Sequence, residues 1–247
     1  MTASLGCLIL HGFTSSLDTV RALVPMAERL GLPYRMPILR GHGTRPEDLR
    51  GVTWRHWRDD AAAALHDLRG EVDQIALCGL SMGGLVALNL AADYLDDIAC
   101  VATIAAALRI SSRLIPLSPV MARVLRNRMW RSDLSGGYSD ATLVANSTNY
   151  AMFPLDSIAS LYRYSQVVER LLPRVQAPLL VIHSHKDRVI KPISADIIYQ
   201  RAGSRIKELR WFERSGHEML QDVEATAVVA TIEAFIRHQC VAEDRQV

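Results

Sequence analysis

Residues 74–87 read QIALCGLSMGGLVA, and the rest of the chain is organised around this stretch. An apolar, β-prone run at residues 75–78 leads into Gly79-Leu80-Ser81-Met82-Gly83, and apolar residues then continue at helical spacing. That order predicts a strand, a sharp turn and a helix. A Cβ atom on either glycine would collide with the neighbouring strand or helix, so the turn holds the Ser81 hydroxyl clear of the sheet at the start of a helix. Ser81 is therefore the candidate nucleophile, although G-x-S-x-G alone also occurs in ordinary turns.

A serine hydroxyl becomes a good nucleophile only when a base takes its proton, and a third group must orient that base. The candidate base is His217, in the loop directly after the last predicted strand. The candidate acid is Asp187, which follows the predicted strand before that one. Asp222 and Glu213 are weaker candidates for the acid, because each is too near His217 in sequence to reach its far nitrogen without a tight loop.

An acyl-transfer intermediate also needs two N–H donors for its oxyanion. The turn itself supplies the backbone N–H of Met82. The N–H of Phe13, in the loop after the first predicted strand, is placed to be the second donor. Gly12 lets that backbone come close, and we expect His11 to support the loop rather than to act in catalysis.

The sequence His183-x-His185-x-Asp187 suggests a different chemistry, because residues two apart on a strand share a face and can converge on a metal. No companion set of ligands at suitable spacing is evident elsewhere, and the serine interpretation needs the same aspartate. We therefore expect no metal. Four arginines of the middle segment could suggest a site for anions but are better interpreted as a solvated helix face: Arg123, Arg126, Arg128 and Arg131.

Apolar runs alternate with amphipathic segments on both sides of the opening stretch. Besides the strand at 75–78, strands are predicted at residues 5–10, 34–39, 98–106, 179–182 and 206–212. This alternation predicts a single α/β domain over residues 1–247, with a mostly parallel sheet and helices on both faces. Residues from about 108 to 174 break the pattern and are predicted to form a helical cap over the carboxyl edge of the sheet. Six apolar cap residues are expected to line a substrate pocket: Ile115, Val120, Val124, Met152, Phe153 and Leu155.

Composition excludes several classes of protein. The chain has 247 residues, of which 49% are hydrophobic, and its 28 basic and 26 acidic residues leave a formal charge of +2, so nothing suggests a nucleic-acid partner. The longest apolar stretch, residues 98–108, is too short for a membrane span of about 20 residues. Four cysteines without paired spacing and no evident signal peptide favour a reduced, cytoplasmic protein.

Taken together, these motifs resemble those of the α/β-hydrolase superfamily, and within it the small bacterial carboxylesterases and monoacylglycerol lipases. The matching segments are LILHGFT (8–14), RGHG (40–43), GLSMGG (79–84), HKD (185–187) and SGH (215–217). The resemblance implies the α/β-hydrolase fold, a triad of Ser81, Asp187 and His217, oxyanion donors at Phe13 and Met82, and no cofactor.

The activity that this resemblance implies is hydrolysis of carboxylic esters of short to medium acyl chains, among them monoacylglycerols, through an acyl-enzyme. Relatives on this fold also cleave thioesters or C–C bonds or transfer acyl groups, and some are non-catalytic receptors. One departure is that the chain starts almost directly on the first central strand, so the leading antiparallel strands of the family are missing or reduced. The thinly covered sheet edge leaves both a monomer and a homodimer open.

Overall fold

The computed structural model describes residues 4–125 and 127–241, so Arg126 and both ends of the predicted domain 1–247 lie outside the described residues. The strands of the described chain are β1 (Leu5–Leu10), β2 (Tyr34–Arg35), β3 (Gln74–Leu80), β4 (Ile98–Ile104), β5 (Met129–Arg131), β6 (Met152–Pro154), β7 (Leu179–Ser184) and β8 (Lys207–Phe212). Six of these strands form a central parallel sheet, as predicted, and their order across the sheet is β2-β1-β3-β4-β7-β8. The other two strands, β5 and β6, form a separate antiparallel pair.

Helices cover both faces of this sheet. The α-helices of the described chain are α1 (Val24–Arg29), α2 (Trp54–Arg69), α3 (Met82–Asp93), α4 (Ser118–Val124), α5 (Leu155–Leu171), α6 (Ile193–Arg201) and α7 (Ala225–Ile236). Short 3₁₀ turns lie at Leu17–Leu23, Pro46–Leu49, Ile115–Leu117, Leu134–Gly137, Ala141–Asn146 and Leu172–Arg174, and a π-helical turn, Arg237–Val241, follows α7.

The strands are apolar on both sides because each side faces a different hydrophobic core. Leu8 and Leu10 of β1 point into the core beneath α2, α3 and α5, whereas Cys7 and Ile9 point into the core beneath α1 and α7. All four side chains are completely buried. This double burial explains why Leu5–Leu10 is a continuous apolar run rather than an alternating one.

The second strand is shorter than the predicted residues 34–39. Only Tyr34–Arg35 pairs with β1. Farther along, the N–H of Leu39 donates to Nε2 of His11, at 3.0 Å, instead of to the sheet. The chain therefore leaves the sheet early, and the following loop lies against the end of β1.

The segment at 108–174 contains helices, as predicted, and also a pair of short strands that the sequence did not predict. Trp130 of β5 pairs with Phe153 of β6 in a two-stranded antiparallel sheet. Strands of three residues are too short to show a period of two in the sequence, which is why only helices were expected. Arg131 accordingly lies on a strand and not on a helix face.

Helix α5 joins this segment to the body of the protein. Its buried residues recur at helical spacing, and Tyr164 donates through its hydroxyl to Asn89 Oδ1 of α3, at 3.2 Å. The ring of Tyr164 also stacks on Trp54 at the start of α2, with 5.1 Å between ring centroids. The segment is thus anchored to two helices of the main core.

Among the helices of residues 4–125 and 127–241, none combines the length and the apolar character that crossing a membrane requires.

Candidate active site

Ser81 occupies a strained turn between β3 and α3. Its backbone angles are φ 54° and ψ −114°, a left-handed conformation that side chains rarely adopt. A Cβ on Gly79 would collide with the carbonyl of Gly83, and a Cβ on Gly83 would collide with the carbonyl of Leu10. Three backbone segments therefore meet here without intervening side chains, and this close approach fixes the direction of the Ser81 side chain.

The structure brings the three predicted catalytic residues together from loops after β3, β7 and β8. Nε2 of His217 lies 2.9 Å from the Oγ of Ser81. On the other side of the ring, Nδ1 of His217 lies 2.8 Å from Oδ2 of Asp187. In the neutral ring that this arrangement requires, the serine hydroxyl donates to Nε2 and Nδ1–H donates to the carboxylate. All three side chains are buried.

Asp187 is held by four hydrogen-bonding groups. Its Oδ1 accepts the N–H groups of Val189 and Ile190, each at 2.8 Å. Its Oδ2 accepts from His217 and lies 3.2 Å from Nε2 of His183. Burial raises the pKa of the Asp187 carboxyl, but its interactions with His217 and His183 more than offset this, so the net pKa lies well below its usual range. The carboxylate therefore stays ionised beside His217.

The loop that carries His217 is fixed by two acidic side chains. Oδ2 of Asp222 accepts the N–H of Gly216 at 2.6 Å, and Oε2 of Glu224 accepts the N–H of Ser215 at 2.8 Å. Asp222 thus supports the backbone of the loop and does not contact the imidazole as the acid of a triad would.

The first testable consequence is a pH profile. Burial lowers the pKa of His217, but the Asp187 carboxylate raises it by more, so the net pKa lies above the ordinary value of about 6.5. Since only the neutral imidazole can take the Ser81 proton, we expect kcat/KM for p-nitrophenyl butyrate to be low in acid and to rise with pH through a midpoint above about 6.5. Rates measured from pH 5 to 9 check this, and a midpoint clearly below 6.5 would contradict the environment described for His217.

The two predicted oxyanion donors belong to Met82, which directly follows Ser81, and to Phe13, which lines the same cavity as Ser81. Met82 is the first residue of α3, so its N–H has no partner within the helix. No acceptor among the described residues takes the N–H of Phe13. The ring of Phe13 is held edge-on by three aromatic rings, at centroid distances of 5.0 Å to Phe153, 5.7 Å to Trp57 and 6.0 Å to His42. This packing fixes the backbone that carries the second donor.

His11 supports the loop that carries Phe13 through hydrogen bonds to the backbone. Its Nδ1–H donates to the carbonyl of Gly12 at 2.8 Å, and its Nε2 accepts the N–H of Leu39 at 3.0 Å. Burial lowers the pKa of His11 to about 4. A neutral ring with both nitrogens occupied has no free nitrogen for proton transfer, in keeping with the expected supporting role.

A cavity of about 450 Å³ opens beside Ser81 and His217. Two of the six predicted pocket residues, Ile115 and Phe153, line it. Its other apolar lining includes Ile110, Trp130, Ile158, Leu161 and Ile190. These apolar residues offer a wall for an acyl chain next to the nucleophile, and polar residues line the rest of the cavity.

The other four predicted pocket residues do not line this cavity. Val120 and Val124 are 64% and 71% exposed, because α4 turns its opposite face toward the core. Met152 is 48% exposed, since neighbours on a strand point to opposite sides and Phe153 takes the inner one. Leu155 is buried in the main core at the start of α5.

Sequence reasoning missed Asn149 and Glu218 near the base and considered His183 only as a possible metal ligand. Asn149 and Glu218 line the cavity, and His183 contacts Asp187. His183 could have been found from its position on the strand that leads to Asp187, and Glu218 from its place beside His217. Asn149 lies in an irregular segment and carries no sequence signal.

The metal alternative receives no support from the geometry of its members. His185 stacks on Trp211 with 4.3 Å between ring centroids, and its Nε2 lies 3.5 Å from exposed Glu213. His183 and Asp187 instead face the candidate triad. Across the part of the chain that the structure describes, no three His, Cys, Asp or Glu side chains are grouped as metal ligands.

Comparison with known proteins gives matches over nearly the whole chain. A family model described as "Serine aminopeptidase, S33" matches residues 4–224. A thermostable monoacylglycerol lipase of Bacillus sp. (strain H-257) is 30% identical over 236 residues, which are 94% of this chain and 91% of the lipase. A carboxylesterase of Bacillus subtilis (strain 168) is 26% identical over 230 residues, covering 93% of this chain and 91% of the esterase.

Solved structures give the same result. A structure from work on LipS and LipT, two metagenome-derived lipolytic enzymes, superposes with a TM-score of 0.87 at 31% identity, covering 96% of this chain and 95% of that one. A soluble variant of monoglyceride lipase from Saccharomyces cerevisiae, in complex with a substrate analog, superposes with a TM-score of 0.83 at 15% identity, covering 98% and 89%. The second likeness shows the fold alone.

Proposed function

This chain belongs to the α/β-hydrolase family described as serine aminopeptidase, S33, and we propose that Ser81, His217 and Asp187 hydrolyse carboxylic esters of short to medium acyl chains. The resemblance drawn from the motifs is thereby confirmed, and the chain is a serine ester hydrolase like its carboxylesterase and lipase relatives. The observation that carries the residue assignment is the continuous hydrogen-bonded row from Ser81 Oγ through His217 to Asp187, with steps of 2.9 and 2.8 Å.

In the first half of the reaction, Nε2 of His217 takes the proton of Ser81 as its Oγ attacks the ester carbonyl carbon. The carbonyl oxygen gains negative charge and is stabilised by the N–H groups of Phe13 and Met82. Asp187 keeps Nδ1 protonated and stabilises the imidazolium. The tetrahedral intermediate then collapses, the C–O bond to the alcohol breaks, and His217 returns its proton to the departing oxygen, which leaves an acyl-serine.

In the second half, water enters in place of the alcohol. His217, neutral again, takes a proton from the water as its oxygen attacks the acyl carbon. The same two N–H groups stabilise the second oxyanion. The bond to Ser81 Oγ then breaks, His217 protonates that oxygen, and the free acid leaves.

The apolar wall of the cavity predicts a chain-length optimum. Each methylene buried contributes about 0.8 kcal/mol, so kcat/KM for p-nitrophenyl esters is expected to rise with each carbon until the cavity is full and then to fall. Trp130 lines the cavity. Shortening it in Trp130→Ala removes part of the wall, so we expect the optimum to move to longer chains.

Esters of two to sixteen carbons measure this optimum. Val124→Ala is the matched control, since Val124 lies in the same segment but is 71% exposed and does not line the cavity. A profile with no maximum, or one that shifts equally in both variants, would mean that this segment does not select the acyl chain.

We infer a cytoplasmic location from the cysteines. Cys7, Cys78 and Cys100 are buried free thiols and Cys240 is a partly buried one, as suits a reducing compartment. The binding partner that we propose is a small ester substrate. For the oligomeric state, a monomer and a homodimer both stay predictions. The homodimer would form through the sheet edge at β2, where only two residues pair.

A further inference from the structure

A second cavity, of about 340 Å³, lies next to the active-site cavity, which is the one beside Ser81. Ile110 and Ile115 line both cavities, so their side chains lie between the two spaces. On α5, Leu161 lines the active-site cavity and the next residue, Tyr162, lines the second one. The apolar wall beside the nucleophile therefore leads to a further space that the reaction steps above do not use.

The second cavity is lined by more basic than acidic side chains. Its basic residues are Arg109, Arg113 and Lys191, and among its lining residues, all within the described part of the chain, only Glu169 is acidic. Oε1 of Glu169 accepts hydrogen bonds from Arg109 at 2.6 Å and from Arg201 at 2.7 Å. The one negative charge of the lining is therefore already neutralised by arginines of the chain.

Two backbone hydrogen bonds hold the remaining basic residues in place. The N–H of Lys191 donates to the carbonyl of Arg109 at 2.8 Å, and the N–H of Ser111 donates to the carbonyl of Val189 at 2.9 Å. These bonds join the segment that carries Arg113 to the segment that carries Lys191. Neither of these two side chains forms an ion pair with another residue that the structure describes. The second cavity thus presents two positive charges without a negative partner.

We propose that the second cavity binds a free carboxylate at the far end of the acyl chain, so that half-esters, the monoesters of dicarboxylic acids, are preferred to esters of monocarboxylic acids of the same length. The inference rests on the proposed ester hydrolysis. The reacting carbonyl carbon must lie at Ser81 Oγ. From there the acyl chain follows Ile110 and Ile115 towards Arg113 and Lys191.

The lining of the second cavity favours a carboxylate over the other groups in which an acyl chain can end. An ammonium group would be repelled by Arg113 and Lys191, and a methyl group would leave these charges without a partner. A carboxylate accepts two parallel hydrogen bonds from a guanidinium group and also binds an ammonium group. The hydroxyls of Ser112 and Ser165, which line the same cavity, are further donors. A chain too short to reach the cations gains none of these contacts, so the preference must depend on chain length.

The test compares p-nitrophenyl half-esters of dicarboxylic acids of six to twelve carbons with p-nitrophenyl esters of monocarboxylic acids of the same lengths. The quantity measured at each length is the ratio of kcat/KM for the half-ester to kcat/KM for the monocarboxylic ester. For short acids we expect a ratio below one, because the carboxylate would lie against the apolar wall. At the length that spans both cavities we expect a ratio of about five, the effect of one or two partly exposed ion pairs.

Two perturbations check that the cations cause this preference. Arg113→Gln and Lys191→Gln, made singly and together, should lower the ratio, and in the double variant it should fall to one or below at every length. Raising NaCl from 0.02 to 0.5 M should also lower the wild-type ratio, because salt screens partly exposed charges. Arg123→Gln is the matched control, since Arg123 is exposed on α4 of the same segment and lines neither cavity, so its ratio should stay at the wild-type value.

Circular dichroism shows which variants fold, and the salt measurement needs no variant at all. A wild-type ratio that exceeds one at no length, a ratio that salt does not change, or a ratio unchanged in a folded double variant would overturn the carboxylate subsite. If p-nitrophenyl butyrate is turned over, any of these results leaves the proposed ester hydrolysis intact. A wild type that turns over none of the esters would instead contradict the proposed function, and the subsite with it.

Discussion

Replacing Ser81 by alanine is expected to lower kcat/KM for p-nitrophenyl butyrate by about four to six orders of magnitude while the protein stays folded. The magnitude is that found when the serine of a triad is removed, because the reaction loses its covalent route. Ser81 lines the cavity and its hydroxyl bonds to His217. Alanine keeps the Cβ atom, so the turn at φ 54° is strained to the same degree in both proteins. Activity against the ester and circular dichroism together measure the effect.

Labelling by a fluorophosphonate gives an independent readout, since the reagent reacts with an activated serine and its signal should vanish in Ser81→Ala. Ser4→Ala is the control, because Ser4 precedes β1 at the opposite edge of the sheet and its hydroxyl donates only to Asp73, at 2.8 Å. If Ser81→Ala still turned over the ester at a rate near wild type, the nucleophile would have to be another residue.

The second largest effect is expected from Asp187→Asn, which should lower kcat by about 10³- to 10⁴-fold. Oδ2 of Asp187 accepts from Nδ1 of His217 at 2.8 Å, and Nε2 of His183 lies 3.2 Å from the same oxygen. An amide NH₂ placed there would meet two donors, so His217 would move its proton to Nε2 and could no longer accept from Ser81. The imidazolium would also lose the negative charge that stabilises it.

The Asp187→Asn substitution distinguishes a role in orienting His217 from a role in binding the substrate. Since Asp187 lies behind His217 and does not line the cavity, KM should change little while kcat falls. Asp96→Asn makes the same chemical change at an exposed position near the start of β4 and should behave as wild type. A loss confined to KM would show that Asp187 acts on substrate binding and not through His217.

Residues placed at the ends of predicted strands were located well from the sequence. Ser81, Asp187 and His217 each follow a strand of a parallel sheet, and the carboxyl ends of such strands meet at one edge. Predicting the strand ends is therefore enough to predict that the side chains converge. The apolar runs were long and clear because both faces of the sheet are buried.

The cap could not be predicted in the same way. Its strands have three residues each and its turns are mostly short 3₁₀ segments, so no sequence period indicates which side chain faces inward. Val120 and Phe153 are equally apolar in the sequence, yet one is exposed and the other buried. Only the pairing of β5 with β6 and the packing of α5 decide between them, and these are tertiary contacts.

The meeting of backbones at Gly79 and Gly83 has a consequence for directed evolution. Any other amino acid at either position brings a Cβ atom into a main-chain carbonyl, and no change of rotamer can move that atom away. A library randomised at these two codons should therefore return only glycine among its active clones, whereas exposed positions such as Val120 and Val124 tolerate diversity. New specificity in this lineage has to be reached through the cap, while the turn beneath it is inherited unchanged.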